Sequence, residues 1–155
     1  MQFNLRSMRD SDIPLITSSF MCSWVSNDLK RALKGSHLLP TADVLRAAWH
    51  SIIHKILDRS QVVVACALSD EDAILGYAVY DECAHNLYWM YVKDPYRKIG
   101  VGTSLARFAT KSYSDFAPVG VFFTTKAGDK FLRKYSERNK ISFESILSLE
   151  EVLGR

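Results

Sequence analysis

The chain is poor in the residues that staple small secreted folds: of 155 residues only Cys22, Cys66 and Cys83 are cysteines. They are odd in number, widely spaced and form no C-x-x-C pair, which argues against a disulfide framework or a cysteine zinc site and makes a reducing cytoplasm the expected home. Long apolar runs are missing too. The longest, Val62 to Leu68, is far short of the roughly 20 residues that cross a bilayer, and the opening MQFNLRSMRD has no apolar core of the export type, so neither export nor membrane insertion is expected. Net charge is only +3, which disfavours a nucleic-acid role carried by overall charge. No internal repeat, low-complexity tract or linker interrupts the chain, so residues 1–155 read as a single domain.

What is present fits a folded globular protein. Hydrophobic residues make up 48% and charged residues 24%. A chain of this length buries roughly 70% of the surface its unfolded form exposes, so one ordinary core suffices without metal.

The hydrophobic pattern orders the elements. Phe3 to Met8 alternates as a strand, and Asp10 or Ser11 can cap a helix with Pro14 in its first turn, carrying Leu15, Ile16, Phe20 and Trp24. A short helix through Leu29 and Leu33 is expected to end near Gly35, followed by a loop through Leu39-Pro40. Thr41 is expected to cap a helix to Asp58, with Leu45, Ala48, Trp49, Ile52 and Ile56 as its apolar stripe. Strands are expected over Gln61 to Leu68, Ala73 to Asp81 and Leu87 to Val92, with the acidic turn Ser69-Asp70-Glu71-Asp72 between the first two. After the glycines at 100 and 102, Leu105, Phe108, Ala109 and Ser112 or Tyr113 keep helical spacing. Val119 to Thr124 reads as a strand, Ala127 to Arg138 as a basic helix and Ile141 to Ile146 as a last strand.

The chemistry concentrates in VKDPYRKIGVG, Val92 to Gly102. A strand ends, a basic turn follows, and two glycines stand one residue apart where a helix begins. Glycine there lets backbone approach a ligand, and the first-turn N–H groups, unpaired within the helix, favour an anion. Lys93, Arg97 and Lys98 add full charges, which suits a pyrophosphate better than a lone carboxylate. A Rossmann fingerprint needs G-x-G-x-x-G and a Walker A loop needs G-x-x-x-x-G-K-[ST]; neither is present.

Arg97-x-x-Gly100-x-Gly102, following a strand that ends Tyr91-Val92, resembles the acetyl-coenzyme A signature [R/Q]-x-x-G-x-[G/A] of the GCN5-related N-acetyltransferase (GNAT) family. The resemblance extends over most of the chain through the order of its elements. Lys98-Ile99 departs from the family's frequent glycine-lysine pair, and the helix Thr41 to Asp58 is an addition.

The resemblance implies an α/β (α+β) fold: a mixed, mostly antiparallel sheet of about six to seven strands, flanked by helices and splayed at the cofactor site. It implies an acetyl-CoA-dependent enzyme that moves the acetyl group directly to a primary amine, on a protein or a small molecule, without an acyl-enzyme. The amides of Ile99, Gly100, Val101, Gly102 and Thr103, with Arg97 and Lys98, would hold the pyrophosphate. The backbone at Tyr91 and Val92 would pair with the pantetheine arm, and Thr124 and Thr125 would line it. A tyrosine commonly protonates the departing thiolate in the family; Tyr135 is the nearest candidate, with an alternative register that puts Leu132 in that place and leaves Tyr135 in the core.

Glu82 is the candidate general base, with Asp81 and His85 nearby, against a reading of all three as solvated turn groups. His50 and His54 have metal-ligand spacing but no evident third ligand, so no metal site is expected. A non-catalytic coenzyme A-binding or interaction module on the same fold is the competing class, and a homodimer is compatible with either.

Overall fold

The structure, a computed structural model, describes residues 2–24, 42–113 and 117–145. In chain order its strands are β1 (Phe3–Ser7), β2 (Gln61–Ala67), β3 (Asp70–Asp81), β4 (Asn86–Val92), β5 (Val119–Val121) and β6 (Phe143–Ser145). Its helices are α1 (Ile13–Phe20), α2 (Ala42–Leu57), α3 (Val101–Thr110) and α4 (Lys126–Asn139). The chain forms two compact units, one of Met1–Met8 with Ser60–Arg155 and one of Arg9–Arg59.

The larger unit is built on one six-stranded sheet in the order β1-β2-β3-β4-β5-β6. Its first four strands pair antiparallel, β2–β3 and β3–β4 through short turns and β1–β2 across the long segment that carries α1 and α2, while β4–β5 and β5–β6 pair parallel. Parallel neighbours need a crossover, and α3 and α4 supply the two crossovers. Val101, Leu105 and Ala109 of α3 and Leu132 of α4 pack into one core with Val63, Leu75, Ala78, Leu87, Val119 and Val121. Each fully buried side chain of this kind contributes about 1.5–3 kcal/mol, so the sheet face under α3 holds the start of that helix firmly in place. The mixed, mostly antiparallel sheet expected from the sequence is the one observed.

Several boundaries differ from the sequence reading. Asp70 pairs with Ala67, so the turn between β2 and β3 shrinks to Leu68-Ser69 and the acidic residues open β3 instead of forming a loop. α3 stops at Thr110, leaving Ser112 and Tyr113 in the turn beyond it. The ladder of β5 ends at Val121 and not Thr124; β6, Phe143–Ser145, starts two residues later than expected, and its expected last residue, Ile146, lies outside the described residues.

In the smaller unit a single turn, Asp10–Asp12, leads into α1 with Pro14 in its first turn. Asp12, not Asp10 or Ser11, holds the N-cap position of α1, and its side chain makes no capping bond to that helix; its Oδ2 instead accepts the Arg9 N–H at 2.8 Å, closing the preceding turn. Trp24 packs against Phe20 at 5.7 Å and Trp49 at 4.7 Å between ring centroids. Trp49, Ile53 and Leu57 are the buried positions of α2, whereas Ile52 is 40% exposed. The expected stripe was therefore rotated by one residue. Apolar residues occupy most of that helix's circumference, so periodicity alone did not single out a face; the seating of the Trp49 ring does. His50 and His54 lie with ring centroids 4.5 Å apart, the first exposed and the second half-buried. The expected helix through Leu29 and Leu33, the loop after it and the Thr41 cap lie outside the described residues.

Candidate functional site

The sheet opens between β4 and β5. Tyr80 pairs with Leu87 but Val79 with Trp89, so Tyr88 is an extra residue, a bulge that bends β4. On the other side β5 joins β4 only at Asn86↔Gly120 and Leu87↔Val121. Two backbone bonds close the contact: Phe122 N–H to Leu87 O at 3.3 Å and Phe123 N–H to Tyr88 O at 2.9 Å. Beyond Tyr88, β4 keeps β3 as a neighbour, through Tyr77↔Tyr91 and Gly76↔Val92, and has no ladder partner on its β5 side among the described residues. Aromatic pairs stand at the divergence, Tyr88 with Phe122 at 4.8 Å and Trp89 with Phe123 at 6.1 Å. An open strand side of this kind is where an extended ligand can add its own backbone-like polar groups.

The glycine turn lies at the far end of the same strand. Gly100 caps α3 with φ 96 and ψ −6, a left-handed conformation, and no side chain caps that helix. The first turn closes with Ser104 N–H to Gly100 O at 3.0 Å, which leaves the N–H groups of Val101, Gly102 and Thr103 without an intrahelical acceptor. A Cβ on Gly100 would meet nothing within 4 Å, so glycine serves the backbone angle there and the surroundings stay open. At Gly102 the reason is space: a Cβ would stand 3.4 Å from the Phe131 ring and 3.7 Å from Val92 Cγ2. The end of β4, the start of α3 and α4 thus meet around one glycine. An unblocked first turn beside open backbone fits a pyrophosphate-bearing ligand.

The expected cations divide into two kinds. Arg97 is turned back: its Nε donates to Val92 O at 3.1 Å and its guanidinium pairs with Asp94, so it ties the turn to the strand and occupies the Val92 carbonyl. Lys93 is half-buried and Lys98 exposed, as are Ile99 and Gly100. Lys98 stands where the related signature often carries glycine, and its φ is 69. The position demands a left-handed backbone, which costs a side-chain-bearing residue about 1–2 kcal/mol. Lys98→Gly is therefore expected to leave the melting temperature unchanged or raise it, the relieved strain being offset by glycine's extra unfolded-state entropy of roughly 0.5–1 kcal/mol. A clear fall in thermal unfolding would show that the Lys98 side chain supports the turn.

The remaining expected residues are placed as follows. Thr125 caps α4, its hydroxyl accepting Gly128 N–H at 3.1 Å, and Thr124 precedes it, half-buried. Tyr135 is buried, its ring against Phe131 at 5.9 Å and Phe143 at 6.2 Å. Phe131 links it to the glycine turn. Leu132 is buried as well, so both registers weighed from the sequence put a residue inward. The only fully buried side-chain oxygen or nitrogen lacking a hydrogen bond among the described residues belongs to Thr17, so the Tyr135 hydroxyl is not stranded in the core. Glu82 lies at the opposite end of α3, where Ser112 Oγ donates to its carboxylate at 3.5 Å. The structure thus brings Val92, the glycine turn, Phe131 and Tyr135 together, and sets Glu82 apart from the turn. Sequence reasoning missed Phe131, Asp94 and the bulge at Tyr88; Phe131 acts through its contact with the glycine turn across the fold, Asp94 through a local pair with Arg97 three residues on, and the bulge shows only in strand register.

No protein-family model matches the chain, and no curated protein matches it. Solved structures do. A protein from Pyrococcus furiosus assigned as an acetyl transferase aligns with a TM-score of 0.56 at 16% identity, over 95% of this chain and 98% of its own. A histone acetyltransferase HPA2 and related acetyltransferase from Corynebacterium glutamicum aligns at 0.55 and 20% identity, over 86% and 84%. A GCN5-related N-acetyltransferase from Rhodopseudomonas palustris gives 0.55 and 18%, over 86% and 81%. At such identities the likeness concerns the fold.

Proposed function

We propose that this chain, whose fold is that of the GCN5-related N-acetyltransferases, carries an acetyl group from acetyl-coenzyme A directly to a primary amine. The observation that supports this most is the divergence of β4 from β5 after Tyr88, running toward an uncapped helix start at Gly100–Thr103. The N–H groups of that first turn, with Lys93 and Lys98, hold the pyrophosphate; the open side of β4 at Met90, Tyr91 and Val92 receives the pantetheine arm. Arg97 contributes by fixing the turn.

Transfer requires a neutral amine, a donor for the carbonyl oxygen as it gains charge, and a proton for the leaving thiolate. Backbone N–H groups of β4 beyond the bulge are the donors available at the divergence. Tyr135 is the proposed proton donor and Glu82, through water, the proposed proton acceptor. Tyr135→Phe is then expected to lower kcat by about 100-fold, the usual worth of a positioned acid, with coenzyme A affinity unchanged. Glu82→Gln with less than a two-fold effect on kcat would remove Glu82 from the mechanism.

A second reading, a coenzyme A-binding module without turnover, is favoured by one observation: the Tyr135 ring packs between two phenylalanines as a core residue would. Incubation with acetyl-coenzyme A and a panel of protein and small-molecule amines separates the two. Thiol release with an acetylated product by mass supports the enzyme; calorimetric binding without either product supports the module.

A further inference from the structure

We propose that the Tyr113 hydroxyl is a positioning group that fixes where β5 leaves β4, and hence the shape of the cleft at its thiol end. Tyr113 follows the end of α3, its N–H donating to Thr110 O at 3.1 Å. Its side chain reaches the hairpin between β3 and β4, where the hydroxyl lies 3.0 Å from Asp81 O and 2.9 Å from Asn86 O. One proton is shared between two carbonyls on paired residues, the last of β3 and the first of β4. The phenol thereby clamps both sides of the hairpin at its closed end.

The same ring connects to β5. His85 stacks on it with centroids 4.9 Å apart and planes 9° from parallel. His85 has φ 54, a left-handed conformation that a side-chain-bearing residue keeps only when its surroundings enforce it. Its carbonyl accepts Gly120 N–H at 3.0 Å, the bond that starts the contact between β4 and β5. The rest of the turn is tied down by Asp81 Oδ1, which accepts from Cys83 N–H at 2.9 Å and Ala84 N–H at 3.2 Å.

A ladder of only two residue pairs has little of its own to define its direction, so the orientation of its first carbonyl counts heavily. Burial, then the Asp81 and Glu82 carboxylates, push the Tyr113 phenol above its ordinary range, which keeps it a donor at any physiological pH. The clamp is distant from the glycine turn and acts on the cleft only through His85 and the strand pairing. It deepens, and rests on, the reading of that cleft as a coenzyme A site.

Tyr113→Phe keeps the ring and its stacking while removing the hydroxyl. Amide hydrogen exchange, thermal unfolding, and calorimetric affinity for coenzyme A and for 3′-phosphoadenosine 5′-diphosphate are measured on both proteins. Exchange at Gly120, Phe122 and Phe123 should rise at least about ten-fold while β1–β3 amides stay protected, since only the local opening is eased. Coenzyme A affinity should fall by roughly ten-fold and the nucleotide's by less than about two-fold, because only the thiol end is disturbed. Unchanged exchange at Gly120, an even rise across the sheet, or equal losses for both ligands would each overturn the proposal. If the unsubstituted protein binds neither ligand, the coenzyme A reading fails, and with it the proposed role in shaping its cleft, while the exchange pattern still shows whether the clamp exists.

Discussion

Gly102→Leu is expected to abolish measurable coenzyme A binding while Gly102→Ala leaves it within a few-fold of the original. A Cβ at this position meets the edge of the Phe131 ring at 3.4 Å and a Val92 methyl at 3.7 Å, contacts that a small ring movement relieves. Leucine cannot be relieved in that way. Its branches would fill the junction of β4, α3 and α4 and cover the N–H groups of the first turn, costing at least about 100-fold in affinity, or close to 3 kcal/mol. Glycine in a first helical turn is a weak choice for stability, so neither variant should unfold readily from lost helix propensity. Calorimetry with coenzyme A, paired with thermal unfolding, reads the outcome. Equal affinities for the leucine variant and the original protein would place the anion elsewhere.

Gly76→Ala is expected to have the largest effect on stability. Glycine at 76 pairs with Val92 across β3 and β4, and a Cβ there would lie 2.5 Å from Tyr91 O and 3.1 Å from Val92 Cα. Both obstacles are backbone, so no side-chain rotation offers an escape and the two strands must separate. Overpacking of this kind costs about 1–3 kcal/mol, and the rigidity of the obstacle puts this position at the upper end. For a chain of this size that corresponds to a fall in melting temperature on the order of 10 °C. Because the strand that must move carries Tyr91 and Val92, coenzyme A affinity should fall together with stability. A variant that melts like the original would contradict the close strand approach at this pair.

The two glycine requirements show how differently site features were written into the sequence. Gly100 and Gly102 could be picked out from the chain alone, because two glycines at a strand-to-helix junction report a backbone angle and a close approach that few other residues allow. Lys98 hid the same requirement: its φ of 69 is a third special backbone position with no glycine to mark it. The strands and helices described were each legible within a few residues from alternation and helical spacing.

β5 was overestimated because Val119 to Thr124 stays apolar, while the end of its ladder is decided by the bend at Tyr88 on a different strand. Arg97 read as a phosphate ligand because its charge is visible in the sequence and its bond to Val92 O is not. The Tyr113 clamp joins residues 27 and 32 positions apart, and no local pattern announces it. Local conformation was readable; contacts that depend on where strands diverge were not.

The central claim is that the unpaired amides at the start of α3 bind a diphosphate while the open side of β4 receives its thiol arm. Nitrogen-15 amide spectra recorded during titration with coenzyme A test it most directly. Saturable shifts largest at Ile99 to Thr103 and at Met90 to Val92 are the expected result. No shift at those amides up to about 1 mM ligand, an affinity floor near 4 kcal/mol, or shifts confined to the basic helix Lys126–Asn139, would contradict it.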